Sequence, residues 1–227
     1  MTRYLIVNAD DFGQSRGVNR GVIEAHERGV VTSASLMVRW AAAEEAAAYA
    51  RTRPALAVGL HVDLGEWVSR NDGWACVYEV TGDPEQELVR QLERFRVLVG
   101  RDPTHLDSHQ HVHRREPLRT AMVALARELG VPAREVAGDV RYCGGFYGQW
   151  VTGAPHPHGI TVNRLLGLLS ALPLGTTELA CHPGFGDDVD SMYRTERARE
   201  VEALCDPRVR GHLDAVGIEL CSFAALT

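Results

Sequence analysis

Strand-like and helix-like patterns alternate along almost the whole of this chain, and that alternation restricts it to an α/β architecture with a parallel sheet. Tyr4 to Asn8 (YLIVN) is an apolar, β-branched run that reads as a buried strand. From Gly17 to Arg28 the apolar positions Val18, Val22, Ile23 and Ala25 recur at helical spacing, and Gly29 stands where a helix C-cap belongs. The pattern repeats with strands over Thr32 to Val38, Ala57 to His61, Thr104 to Ser108, Glu135 to Arg141, Glu178 to Cys181 and Gly217 to Cys221, which makes seven strand candidates. Helices are expected over Ala41 to Arg51, Pro84 to Val99, Pro117 to Leu129, Val162 to Ala171 and Tyr193 to Leu204. With 227 residues, 45% of them apolar, the chain suits one domain over residues 1–227. Seven β/α units fit either a TIM-like (β/α) barrel with a missing unit or a doubly wound open sheet. Both carry their active site at the C-terminal edge of the strands.

Charge narrows the chemistry. The balance of 24 basic and 30 acidic residues gives a net charge of -6, so there is no global pull toward nucleic acid. Every basic residue is Arg and none is Lys, which excludes a Schiff-base lysine and a P-loop. The apolar stretch from Leu165 to Leu174 is broken by Gly167, Ser170 and Pro173 and falls short of a membrane span. The first strand runs straight into Asn8-Ala9-Asp10-Asp11 with no signal-like region before it, so a cytoplasmic location is expected. The five cysteines contain no CxxC pair and read as buried thiols.

The outlier in composition is His, ten in all, four of them between His105 and His113. There, His105, Asp107, His109, His111 and His113 occupy every second position. Alternate residues lie about 6.6 Å apart along a strand, so a single ion cannot be ligated by all five. The run must bend, or divide ligation, orientation and substrate binding among its members. Asp10 and Asp11 follow the first strand, where one carboxylate could hold a cation while its neighbour acts as general base. The plainer reading is a helix N-cap, supplied by Asp11 or Ser15. His61 ends the third strand and forms a His-x-Asp pair with Asp63, and His182 closes another strand before a Pro-Gly turn. One Asp and two His with open positions bind a divalent ion and activate water. Asp107 and Asp63 are available to accept from the outer nitrogens of the ligating histidines. The loop from Arg141 through Ile160 has no clear period and is a candidate substrate loop.

The stretches LIVNADDFG (5–13), GVVTS (29–33), Gly59-Leu60-His61, PTHLDSHQHVH (103–113) and Cys181-His182-Pro183-Gly184 together resemble the ChbG/YdjC carbohydrate deacetylase family over nearly the whole chain. The resemblance implies a TIM-like barrel with an incomplete strand set. It implies a hydrolase of carbon-nitrogen bonds other than peptide bonds, removing the acetyl group from an N-acetylated sugar. By that likeness Asp11, His61 and His109 would be the metal ligands and Asp10 the general base. His182 would stabilise the oxyanion or protonate the leaving amine. The cofactor would be one divalent ion, Mg2+ or Zn2+. The partners would be an N-acetylated oligosaccharide or glycolipid and, at most, a second copy in a homodimer. The chain departs from the family in an abbreviated stretch between Leu64 and Asp83. Trp67, Trp74, Phe146, Tyr147 and Trp150 are candidates to stack on a sugar. Rival readings are a metal-dependent amidohydrolase of a non-sugar amide, and a non-catalytic metal- or sugar-binding protein that would have no need of Asp10 beside Asp11. A two-His, one-carboxylate Fe(II) oxygenase is opposed by the strand-helix alternation.

Overall fold

Seven parallel strands make the main sheet of the computed structural model, which describes residues 2–70 and 73–226. In chain order the elements are β1 (Arg3–Phe12), α1 (Arg16–Glu27), β2 (Ser33–Leu36), α2 (Ala43–Thr52), β3 (Ala57–Val62), the hairpin strands β4 (Gly65–Arg70) and β5 (Gly73–Glu79), α3 (Pro84–Val99), β6 (Leu106–Ser108), α4 (Leu118–Leu129), β7 (Arg141–Cys143), α5 (Val162–Ser170), β8 (Gly175–Cys181), α6 (Thr195–Leu204), α7 (Pro207–Val216) and β9 (Ile218–Cys221). The sheet runs β6-β3-β2-β1-β8-β7, and β9 pairs with the first residues of β1, on the edge that β2 occupies further along. It curls into a barrel left open between β6 and β7, which do not pair. This is the incomplete TIM-like barrel rather than the doubly wound sheet. Among the described residues no helix is long and apolar enough to cross a membrane.

The expected strand over Glu135 to Arg141 is corrected. Of that span Arg141 alone joins the sheet among the described residues, as the first residue of β7 (Arg141–Cys143) against β8, while Ala137 makes an isolated antiparallel bridge to Ala133. Ala133 makes an isolated parallel bridge to Leu106 at the other lip of the opening, and Glu135 adopts a left-handed φ of 59°. The chain therefore crosses the gap as a turn, and its two ends serve different edges. Two further elements had not been expected: helix α7, and the hairpin β4–β5 within the stretch that reads as abbreviated. Asn71 and Asp72 of that stretch lie outside the described residues.

The strands alternate sharply between two faces. Leu5, Val7 and Ala9, then Ala34 and Leu36, then Val58 and Leu60, then Leu106, and Leu179 belong to the large apolar core shared with the helices. The alternate positions Asn8, Asp10, Ser33, Ser35, His61, Asp107 and Glu178 are buried and polar, and face the barrel interior. Ile6, Ala57 and Phe223 form a small apolar plug of their own. The Phe223 ring stacks on His105 at 3.8 Å. Gly59 makes room for that histidine, since a Cβ there would lie 2.5 Å from its ring.

Helix α1 begins at Ser15, whose hydroxyl accepts from Val18 N, so Ser15 and not Asp11 is the N-cap. That helix touches the strand β8 exit backbone to backbone, because a Cβ on Gly21 would lie 2.3 Å from Gly184 Cα. Gly21→Ala is expected to destabilise the protein by about 1–3 kcal/mol, read as a fall of several degrees in Tm. Gly167→Ala, which meets nothing within 4 Å in the middle of α5, should be neutral or stabilising by up to about 1 kcal/mol.

Candidate functional site

Adjacent residues on a regular strand point to opposite faces, so Asp10 and Asp11 could not both face the interior of an ideal β1. The register between β1 and β2 slips between Ala9 and Phe12, and Asp11 sits at φ 66°. This bulge turns both carboxylates into the top of the barrel. A second irregularity acts on the histidine run. Strand β6 stops at Ser108, and Gln110 and His111 take φ of 49° and 54° in the following 3-10 turn. His105 and Asp107 therefore face inward within the barrel, His109 reaches the rim, and His113 folds back to Ser108 Oγ and the Arg134 carbonyl. Left-handed backbone at non-glycine residues is costly and is concentrated at functional sites.

The structure brings Asp11, His61 and His109 together, with donor atoms all within 4.8 Å of one another. Asp11 Oδ1 lies 3.3 Å from His61 Nε2 and 2.9 Å from His109 Nδ1. The outer nitrogens are held by carboxylates as well. His61 Nδ1 donates to Asp107 Oδ1 at 2.7 Å, and His109 Nε2 to Glu66 Oε2 at 2.7 Å. Asp107 thus fills the orienting place expected of it, whereas Asp63 does not. Asp63 accepts from Tyr78 Oη, Trp40 Nε1 and Gly65 N, and so anchors the root of the β4–β5 hairpin.

Each aspartate has its own arginine. Arg134 grips Asp10 with two nitrogens at 2.6 and 2.7 Å, and the same guanidinium reaches Asp107 and Glu178. Arg197 Nη2 donates to Asp11 Oδ2 at 2.7 Å. Burial alone would raise the Asp10 pKa, but Arg134 outweighs it and holds the carboxyl below the usual range. Burial likewise opposes ionisation of Asp11, and Arg197 and His109 overcome it. Burial disfavours an imidazolium at His61, yet Asp107 raises its pKa to about 10. Asp11 and Glu66 raise His109 against the same penalty. His182 is different: burial, only partly offset by Asp10 and Asp11, pushes it down to about 4. Its Nε2 lies 3.8 Å from Asp10 Oδ2, and its Nδ1 is buried without a hydrogen-bond partner.

These groups form the floor of a cavity of about 690 Å³. Trp67 and Trp74 wall it from the hairpin, and Tyr142, Phe146 and Tyr147 from the 141–160 loop. Tyr147 stacks on Tyr193 at 4.6 Å and meets His182 edge-on at 5.2 Å. Trp150 does not line the cavity and packs on His156 instead. A second donor group, His111, His113 and Glu135, is less suited to an ion, since both His113 nitrogens are engaged and Glu135 pairs with Arg114. Sequence reasoning had not singled out Glu66, Arg134, Arg197 or Glu200, whose carboxylate accepts from His182 N at 2.5 Å. They lie far along the chain from the motifs they serve, and only the fold supplies the signal.

A family model described as YdjC-like protein matches residues 4–215. The chain belongs to the YdjC-like family. This YdjC-family chain is 37% identical to a carbohydrate deacetylase of Geobacillus stearothermophilus, with 98% of each chain covered. It is 34% identical to a chitooligosaccharide deacetylase of Serratia marcescens over 100% of both chains. Among solved structures it is similar to a protein of Enterococcus faecalis described as a candidate cellobiose-phosphate cleavage protein, with a TM-score of 0.79, 27% identity and 100% of both chains covered. A family 4 acetyl xylan esterase of Clostridium thermocellum, in complex with cobalt, shares the fold at a TM-score of 0.56 and 13% identity, over 99% of this chain and 90% of that one.

Removing one member of a buried charge cluster leaves its partners uncompensated. Arg134→Met is therefore expected to cost on the order of 3–5 kcal/mol, read as a lower urea midpoint, because it strands Asp10, Asp107 and Glu178 together.

Proposed function

We propose that this chain is a metal-dependent carbohydrate N-deacetylase, one domain over residues 1–227, that hydrolyses the acetamide of an N-acetylated sugar. The observation that carries the reading is the convergence of Asp11 Oδ1, His61 Nε2 and His109 Nδ1 beside an ionised Asp10 on the floor of an aromatic-walled cavity. The printed activities of the Geobacillus and Serratia relatives support it.

The donor set fits a divalent ion: one carboxylate oxygen and two imidazole nitrogens, buried, with outer nitrogens fixed by Asp107 and Glu66. Two nitrogens suit Zn2+ better than Mg2+. Such an ion would lower the pKa of a water and draw charge from the acetamide carbonyl. Asp10 is held as carboxylate by Arg134, the state needed to take a proton from the attacking water. His182 is neutral at rest, so it must gain a proton before it can hand one to the leaving amine, and the nearest carboxylate to supply it is Asp10, 3.8 Å away. That separation exceeds a hydrogen bond, so the transfer needs an intervening water or a small closure. Trp67 and Trp74 line the cavity and are the aromatic side chains we assign to meet the sugar. All five cysteines are free, which agrees with the cytoplasmic location we propose; only Cys181 is buried and Cys76 is exposed, which corrects the expectation of five buried thiols.

Acetate release from N-acetylated oligosaccharides should vanish on chelation and return with one divalent ion. Asp10→Asn should keep one ion per chain and lower turnover by about 10²–10⁴-fold; full activity in that variant would remove Asp10 as the base. Metal affinity should also rise with pH. His61 and His109 hold protons tightly in the metal-free protein, and ligation must displace them. Affinity then weakens by up to about tenfold per displaced proton for each unit that pH falls. Calorimetry in two buffers of different ionisation enthalpy should detect proton release; binding without release would contradict the ligand assignment.

A further inference from the structure

Glu66 is 2% exposed, and the partners found for its carboxylate are His109 Nε2 at 2.7 Å and Ser191 Oγ at 2.9 Å. Among the described residues no arginine lies within ion-pair distance of it, and its one ionisable partner there is His109. A buried carboxylate without an arginine partner is expensive, so packing does not account for its presence at the base of β4. The neighbouring backbone is fixed to match. Trp67 N donates to Gln110 Oε1 at 3.1 Å, and Gln110 Nε2 donates to Trp67 O at 2.8 Å. The residue after Glu66 is thus tied reciprocally to the residue after His109.

The arrangement mirrors that of His61. There the outer nitrogen is held by Asp107 and the inner one faces Asp11 Oδ1. At His109 the roles of the ring nitrogens are exchanged, with Nε2 outward to Glu66 and Nδ1 inward to the same Asp11 oxygen. A carboxylate accepts and does not donate when ionised, so it fixes the proton on Nε2 and leaves the Nδ1 lone pair for an ion. We propose that Glu66, carried on the β4–β5 hairpin, is the positioning residue for His109: it selects the tautomer and ring orientation that present Nδ1 to the metal. Its Oε2 meets the His109 nitrogen turned away from Asp11, and Glu66 is not among the donors that converge there, so it acts through His109 and not as a ligand itself. A hairpin outside the main sheet thereby completes the donor set, and ties the metal ligand to the Trp67 wall of the cavity.

The proposal rests on the metal-site reading above, and the test separates the two. Zn2+ is titrated calorimetrically into the chelator-stripped protein without substrate, in the parent and in Glu66→Ala, Glu66→Gln and Ser69→Ala. Ser69 ties the same hairpin to Thr152 O and is the control for hairpin placement. Glu66→Ala should bind Zn2+ about 10–100-fold more weakly. Glu66→Gln keeps an acceptor for Nε2–H in the same shape and should recover affinity to within about tenfold of the parent; Ser69→Ala should match the parent. Parent-like affinity in Glu66→Ala would overturn the proposal, as would a Gln variant no tighter than Ala, or a Ser69→Ala loss as large as that of Glu66→Ala. Failure of the parent to bind Zn2+ at all would instead overturn the metal-site reading on which it rests.

Discussion

One carboxylate oxygen organises the top of this barrel. Asp11 Oδ1 is approached by His61 from β3 and His109 from the end of β6, while Asp11 Oδ2 is held by Arg197 from α6. Three separate elements thus meet on one side chain, which itself depends on a left-handed residue in a bulged strand. Around it, positive and negative groups interleave: Arg197, His61 and His109 meet Asp11, Arg134 meets Asp10, Asp107 and Glu178, and Glu66 meets His109. In a low-dielectric interior such a cluster is tolerable only when its members are all satisfied. This explains why residues as distant as Arg134 and Arg197 are needed for a site whose motifs lie elsewhere.

The same constraint shapes the barrel. A TIM barrel is ordinarily filled with layers of branched apolar side chains. Here the interior positions of β1, β2, β3, β6 and β8 are largely Asn, Asp, Ser, His and Glu, linked through Ser35, Asp107 and Arg134 down to His105, and closed below by Phe223. The apolar core lies outside the sheet, under the helices. Leaving the barrel open between β6 and β7 lets the Arg134 turn enter and reach three carboxylates at once.

Much of this was legible in the sequence. Parallel strands with chemistry at their C-terminal ends followed from the period of the apolar runs, and Asp11 and the two histidines that meet on it lie in the motifs singled out. What escaped had physical reasons. The strand expected over Glu135 to Arg141 fails because its segment bridges the barrel gap. The β4–β5 hairpin carries a hairpin signal at Asp72-Gly73, and α7 has Asp206 as N-cap, Pro207 at its start and Gly217 at its end; both signals were present but local. Glu66, Arg134, Arg197 and Glu200 had no local signal, because a buried charge is recognised by its partner in space. Asp63, which looked like the partner of His61 by spacing, turns away to hold the hairpin.

The central claim is that Asp11, His61 and His109 hold one divalent ion. Anomalous diffraction at the zinc edge from crystals of the Zn2+-loaded protein tests it most directly. The account predicts one strong peak bounded by Asp11 Oδ1, His61 Nε2 and His109 Nδ1. A peak at His111, His113 and Glu135 instead, or no ordered peak between Asp11 and the two histidines, would contradict it.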